Sequence, residues 1–225
     1  MINNETIKFL KGLANNNNKA WMDKNKNLYL ASKTDFEAFV TLLLKKSLSF
    51  DKELQDLGVK DCTFRLNRDI RFSKDKTPYK VNMGASLNKG GKKSIYAGYY
   101  FHLEPGGKSF AGGGIWMPMA PELKLIRQEI DYCHREFEKI LNAKKFKSQY
   151  GTLETTEDVK LTNLPRGYDK ANPAIEFVKL KSILATRPIA DSDLSKPDLL
   201  TNTLKAFEAL TPVIKFINRA LLPES

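Results

Sequence analysis

Apolar residues in the first part of the chain recur at intervals of three and four. Ile7, Leu10 and Leu13 mark a short amphipathic helix over 4–14, and Phe36, Phe39, Val40, Leu43 and Leu44 give a helical stretch over 19–46 one buried face. Asn15–Asn18 end one helix and start the next, and a break in the second is expected near Ser32–Asp35. At residue 61 the period changes to two. Cys62, Phe64 and Leu66 alternate with polar positions, as do Val81, Met83, Ala85 and Leu87, then Ile95, Ala97, Tyr99, Phe101 and Leu103. A further run follows at Ser109–Met117 after the turn Pro105-Gly106-Gly107. Strands are therefore predicted near 62–67, 80–88, 95–104 and 108–117. Short Gly-rich turns join the last three, so they pair antiparallel in sequence order. The first connection, 68–79, is longer and heavily charged.

The helical period returns with Pro121 at a first-turn position and Leu123, Ile126, Ile130, Cys133, Phe137, Ile140 and Leu141 along one stripe. Residues 151–170 read as irregular, with an edge strand at 159–163. Asn172-Pro173 opens a short helix, and Ser182–Pro188 is one more candidate strand. Leu200, Leu204, Phe207 and Leu210 are helical, and Thr211-Pro212 reads as the start of a separate last helix. The expectation is a single α+β domain over 1–225. An antiparallel meander of at least four strands is flanked by N-terminal helices and packed by C-terminal ones. No internal repeat or dividing linker is visible.

Composition narrows the class. Of 225 residues, 41% are hydrophobic and 28% charged, which excludes a disordered chain. No apolar run reaches 18 residues, and the N-terminal MINNETIKFLKGL lacks the apolar stretch of a secretory signal, so no membrane association and a cytoplasmic location are expected. Two cysteines, Cys62 and Cys133, and two histidines, His102 and His134, make neither a disulfide framework nor a metal cluster. No cofactor is implied.

The net charge of +11 invites a nucleic-acid reading, yet it is local. Residues 60–93 carry ten Lys/Arg against three Asp, or +7, leaving +4 for the other 191 positions. Lysine outnumbers arginine 29 to 8, but Arg65, Arg68 and Arg71 fall within seven residues. The guanidinium fork suits carboxylate or phosphate, and lysine does not replace it at a two-pronged contact.

The segment from Arg65 reads Arg65-Leu66-Asn67-Arg68-Asp69-Ile70-Arg71-Phe72-Ser73-Lys74-Asp75-Lys76-Thr77-Pro78-Tyr79-Lys80. It resembles the signature RxxRDxRFxxxKxPY of the domain of unknown function 2461 family, a bacterial family of about this length. All eight fixed positions are present, and the Asn17–Trp21 start and the Pro165-Arg166-Gly167 turn follow in the expected order. The resemblance covers the whole chain and implies no particular reaction.

Read physically, the window 65–80 holds six Lys/Arg against two Asp. Phe72 and Pro78 are expected to anchor the loop. Arg65, Arg68, Arg71, Lys76 and Tyr79 form a candidate ligand site for phosphate or carboxylate, with Asp69 as an internal orienting partner. The opposing reading ties the arginines into a structural network.

Weaker signals lie elsewhere. Gly107-Lys108-Ser109 lacks the upstream glycine of a P-loop. Gly112-Gly113-Gly114 inside a strand marks either a bulge or a ligand lying against the backbone. Tyr100, His102 and Glu104 share one strand face, which makes His102 a candidate acid/base beside structural and metal-binding alternatives. Cys133 falls on a core stripe, and Trp21, Tyr29, Tyr168 and Arg187 read as packing or pocket rim. The favoured function is binding, with or without turnover, of a small anionic or phosphorylated ligand, with His102, Tyr79 and Asp69 as catalytic candidates. The alternatives are a nucleic-acid-binding module using 60–93 and an interaction domain without a ligand.

Overall fold

A computed structural model describes residues 1–222. The helices are α1 (Asn4–Asn15), α2 (Lys19–Lys24), α3 (Lys26–Ser47), α4 (Val59–Cys62), α5 (Ala120–Tyr132), α6 (His134–Asn142), α7 (Lys144–Tyr150), α8 (Ile175–Val178) and α9 (Leu199–Arg219). The strands are β1 (Met83–Asn88), β2 (Gly98–Leu103), β3 (Phe110–Ile115) and β4 (Ile183–Pro188). They form one antiparallel sheet in the order β1-β2-β3-β4. The fold is α+β, with the expected meander at its centre. Among the described residues no helix is long and apolar enough to cross a membrane.

The expected first strand at 62–67 does not form; the fourth strand is 183–188. Asp61 accepts a hydrogen bond from the Gly58 N–H at 2.9 Å and closes a helical turn that ends at Cys62. Beyond it only isolated bridges form, Thr63 to Ala85 and Asn67 to Tyr79. The segment pairs instead with its own return: the Arg68 N–H donates to the Pro78 carbonyl at 2.9 Å and the Lys80 N–H to the Leu66 carbonyl at 2.8 Å. Cys62 and Leu66 are buried as their alternation implied, but Phe64 is 40% exposed.

Three helix boundaries also differ. The long N-terminal helix breaks at Asn25 rather than near Ser32–Asp35, and Cys133 separates α5 from α6. α9 runs through Pro212 without stopping. Pro212 cannot donate to the carbonyl one turn back, yet the helix holds because its flanks are buried on both sides of the lesion.

The register sorts the strand residues onto two faces. Ala85, Leu87, Tyr99, Phe101, Leu103, Ala111, Ile183 and Ala185 point into the core, where α9 and α3 cover them. Phe39 and Phe207 meet Phe101 and Tyr99 at ring-centre distances of 4.9 and 5.0 Å. The buried Tyr99 hydroxyl donates to Asp51 at 2.8 Å and lies 3.0 Å from the Thr211 hydroxyl. Asn218 of α9 grips both backbone groups of Ala97, at 2.8 and 3.2 Å, just before β2 begins.

The opposite face carries a patch of glycines at its centre. Its cross-strand rows read Gly84–His102–Phe110–Pro188, Ser86–Tyr100–Gly112–Thr186 and Asn88–Gly98–Gly114–Leu184. The pairing across Gly112–Gly114 is continuous, so the triplet is not a bulge. Gly113 and Gly114 have φ of 151° and 119°, and a Cβ on Gly114 would fall 1.9 Å from the Ile183 carbonyl oxygen. Strain and overlap act together at this central position, so Gly114→Ala should cost about 2–4 kcal/mol. A urea unfolding midpoint equal to that of the parent would refute this account of the triplet.

Candidate functional site

The signature segment forms a self-braced loop. Ser73 donates its N–H to the Ile70 carbonyl at 3.3 Å, making Arg71 and Phe72 the central residues of a turn. Arg68 lies beneath and donates to Asp75, to the Thr77 hydroxyl and carbonyl, and to the Ser73 hydroxyl. Asp75 in turn accepts from the Thr77 N–H at 2.9 Å. That backbone contact first, then Arg68, lowers the Asp75 carboxyl to about 2. Arg71 grips Asp69 with both prongs, at 2.9 and 2.7 Å, and so lowers the Asp69 carboxyl as well. Lys76 reaches across the loop to the Ile70 carbonyl at 3.1 Å. Asn17 fastens the return of the loop, accepting from the Tyr79 N–H at 3.1 Å and donating to its carbonyl at 2.8 Å.

The arginines therefore do not converge. Arg68 and Arg71 engage separate carboxylates, and Arg65 lines a small cavity of about 230 Å³ with Phe36, Glu37 and Lys60. Phe72 is no anchor, being 95% exposed with the Arg71 guanidinium 5.8 Å from its ring centre. Tyr79 is half-buried against the core.

A cavity of about 830 Å³ lies over the outer face of the sheet. Gly98, Gly113 and Gly114 give it a floor of backbone, and Tyr100, His102 and Phe110 stand at one end. Its walls are 92–96 beside β1, 116–122 leading into α5, and 154–159 beside β4. The β1 edge bears Lys92 and Lys93. The opposite edge bears Glu154 and Asp158, with Glu154 tied to the Thr186 hydroxyl and its N–H donating to the Leu184 carbonyl. Trp116 and Met119 on the rim are 64% and 72% exposed. Met117 holds φ at 43°, a left-handed conformation costly for its side chain, and its N–H donates to the buried Ser182 hydroxyl at 2.8 Å. Glu122 Oε2 and Ser94 Oγ, both on residues lining this trough, are buried side-chain atoms without a partner.

A polar chain runs along β2 at the end of the trough. Tyr100 Oη lies 3.4 Å from His102 Nδ1, and His102 Nε2 lies 3.0 Å from Glu104 Oε2. The imidazole stacks on Phe110 at 4.9 Å with 11° between planes. Burial alone pushes the Glu104 carboxyl up, but hydrogen bonds from His102 and Lys108 outweigh it and leave it below its ordinary value. Burial, then the Glu104 charge, raises the Tyr100 phenol. The ionised Glu104 selects the tautomer with a proton on Nε2, so Nδ1 is left as an acceptor facing the tyrosine.

Of the candidates read from sequence, His102 lies in this trough, whereas Asp69, Arg65, Arg68, Arg71, Lys76 and Tyr79 do not line it. The walls at 116–119 and 154–159 were not foreseen. The first read as the end of a strand and the second as irregular chain, and neither carries a chemical motif.

The arrangement defines an α+β protein with one open, walled sheet face and a braced basic loop beside it. The chain belongs to the family described as a conserved hypothetical protein (DUF2461), which it matches over residues 5–216. No curated protein and no solved structure matches it.

The loop geometry separates its two inner arginines. Arg68→Lys keeps the charge but loses the fork that reaches Asp75, Thr77 and Ser73, and should lower Tm by about 2–4 °C. Arg71→Lys, in a pair 76% and 46% exposed, should leave Tm unchanged. Asp75 has its folded value lowered, so its contribution is complete above the ordinary carboxylate range and is lost as pH falls through about 2. Protection of the Thr77 amide should accordingly persist at pH 4. Equal Tm losses in the two variants would contradict this assignment.

Proposed function

We propose that the protein binds a small anionic molecule with a flat apolar body in the trough over the sheet. The carrying observation is a cavity of about 830 Å³ whose floor includes the backbone of Gly98, Gly113 and Gly114 and whose two edges bear opposite charge. A flat body fits over the low glycine patch of the floor, against Tyr100, Phe110 and Trp116. Its anionic group belongs at the β1 edge, near Lys93, and hydrogen-bond donors on its other end belong near Glu154 and Asp158. The strained Met117 and the unpartnered Glu122 and Ser94 atoms support a site shaped for an occupant.

If the ligand is turned over, His102 is the residue placed to take or give a proton at Nδ1, with Glu104 stabilising the imidazolium that forms. This reading places the anionic ligand expected from composition over the sheet and against lysine, rather than among the signature arginines.

A thermal-shift screen of aromatic and other flat carboxylates and phosphates, followed by calorimetry on the hits, tests the reading. Trp116→Ala and Lys93→Gln should each weaken a hit about tenfold, equivalent to about 1.4 kcal/mol. Lys93→Gln alters an exposed side chain and should leave the Tm of the unliganded protein unchanged. Hits whose affinity is indifferent to both substitutions would place the ligand elsewhere.

A further inference from the structure

We infer that the braced loop 65–80 is a docking surface for single-stranded nucleic acid, distinct from the trough, on which a base stacks against Phe72 while phosphates meet the unpaired cations of the same segment. The loop spends its internal polar contacts on presenting an aromatic ring to water. Arg68, Asp75, Thr77 and Ser73 form its interior, the Ile70–Ser73 turn carries Phe72 outward, and Asn17 ties the return strand to the N-terminal helices. A large apolar side chain left 95% exposed on a segment held this firmly is not the by-product of a slack loop.

The charges of the segment fall into paired and unpaired sets. Both aspartates of the segment are engaged internally, by Arg71 and Arg68. Among the described residues, Arg65, Lys74, Lys76 and Lys80 are in no ion pair; Glu37, which shares a groove with Arg65, pairs with Lys33 at 3.8 Å. Arg71 lies over Phe72, and Lys76 is held at the turn by the Ile70 carbonyl. Lys80 lies 5.4 Å from the centre of the Phe64 ring, and its ammonium is lowered first by burial and then by the Arg65 charge. The two cations repel one another, and a phosphate between them would relieve that repulsion.

An exposed ring on a loop that also carries unpaired cations is a combination that single-stranded nucleic acid can use, because every base offers a face and every nucleotide a charge. A membrane surface fits less well. Phe72 is the one large exposed apolar side chain of 65–80, with Arg71 and Lys74 close by, which leaves little apolar area to enter a bilayer. A duplex would offer Phe72 no accessible base face.

The experiment is fluorescence anisotropy with a labelled short oligo-deoxythymidine, begun at about 50 mM salt where phosphate contacts are strong. Three to four phosphate contacts predict a slope of log K against log salt between about −2 and −3. Phe72→Ala, a change at an exposed side chain that should leave Tm intact, should weaken binding roughly five- to fiftyfold. Phe72→Trp should restore it and show tryptophan quenching on binding. Absence of binding at about 50 mM salt, equal affinity for the parent and Phe72→Ala, or equal affinity for a duplex of the same length would each overturn the proposal. So would loop-dependent binding to phosphatidylserine-containing vesicles without binding to the oligonucleotide. None of these outcomes bears on the trough, whose occupancy is read separately through Trp116 and Lys93.

Discussion

The close approach of three backbones at β3 is the constraint on which the rest of the molecule depends. A Cβ at Gly112, Gly113 or Gly114 would lie 2.2, 2.2 or 1.9 Å from a carbonyl oxygen of β4 or β2, so this strand can carry no side chains along half its length. On the core side, the bare strand lets α9 settle against the centre of the sheet, where Phe207, Thr211 and Asn218 reach Tyr99 and Ala97. On the other side the same lack of side chains leaves a floor at backbone level. The trough is thus the outer face of the packing that makes the core.

Two polar systems serve this arrangement in different ways. Inside, the Tyr99–Asp51–Thr211 contacts are fully buried, so each member is costly to leave without its partner, and together they fix where α9 and the turn after α3 meet the sheet. Outside, the Tyr100–His102–Glu104 chain follows alternate residues along β2 and just past its end, with Tyr100 and His102 lining the trough. Strand pleating alone puts these neighbours in opposite environments: Tyr99 is locked in the core while Tyr100 borders the cavity. Burial raises both phenols, but only the second stands beside a histidine.

The sheet was largely legible because alternation in 83–88 and 98–103 reports a face directly, and Gly-rich turns admit only neighbouring antiparallel strands, which placed 110–115 beside them. The 62–67 stretch misled because Cys62 and Leu66 are buried as a strand would bury them, while the Asp61 side chain closes a helical turn that no periodicity records. His102 and its neighbours were legible as one face of a strand. The trough walls were not, since Trp116–Met119 and 154–159 become walls only when β4, from 183–188, pairs beside β3 and brings distant chain together. Pairing of this range leaves no local pattern.

The arginine cluster carries the more general point. Its density in an arginine-poor chain pointed to a site for phosphate or carboxylate, yet the guanidinium fork that suits a ligand phosphate suits an internal carboxylate equally well. Asp69 and Asp75 lie within a few residues of Arg71 and Arg68, so the local partners are met first and bind with both prongs or through several bonds. What remains is the charge in no ion pair: Arg65 and the lysines of the segment. Lysine's single ammonium on a flexible stem makes a poorer brace and a better sensor of diffuse phosphate charge. The chemistry of a basic segment is therefore set by which cations its own aspartates leave over, and here the arginines at 68 and 71 build the loop that the remaining cations and Phe72 display.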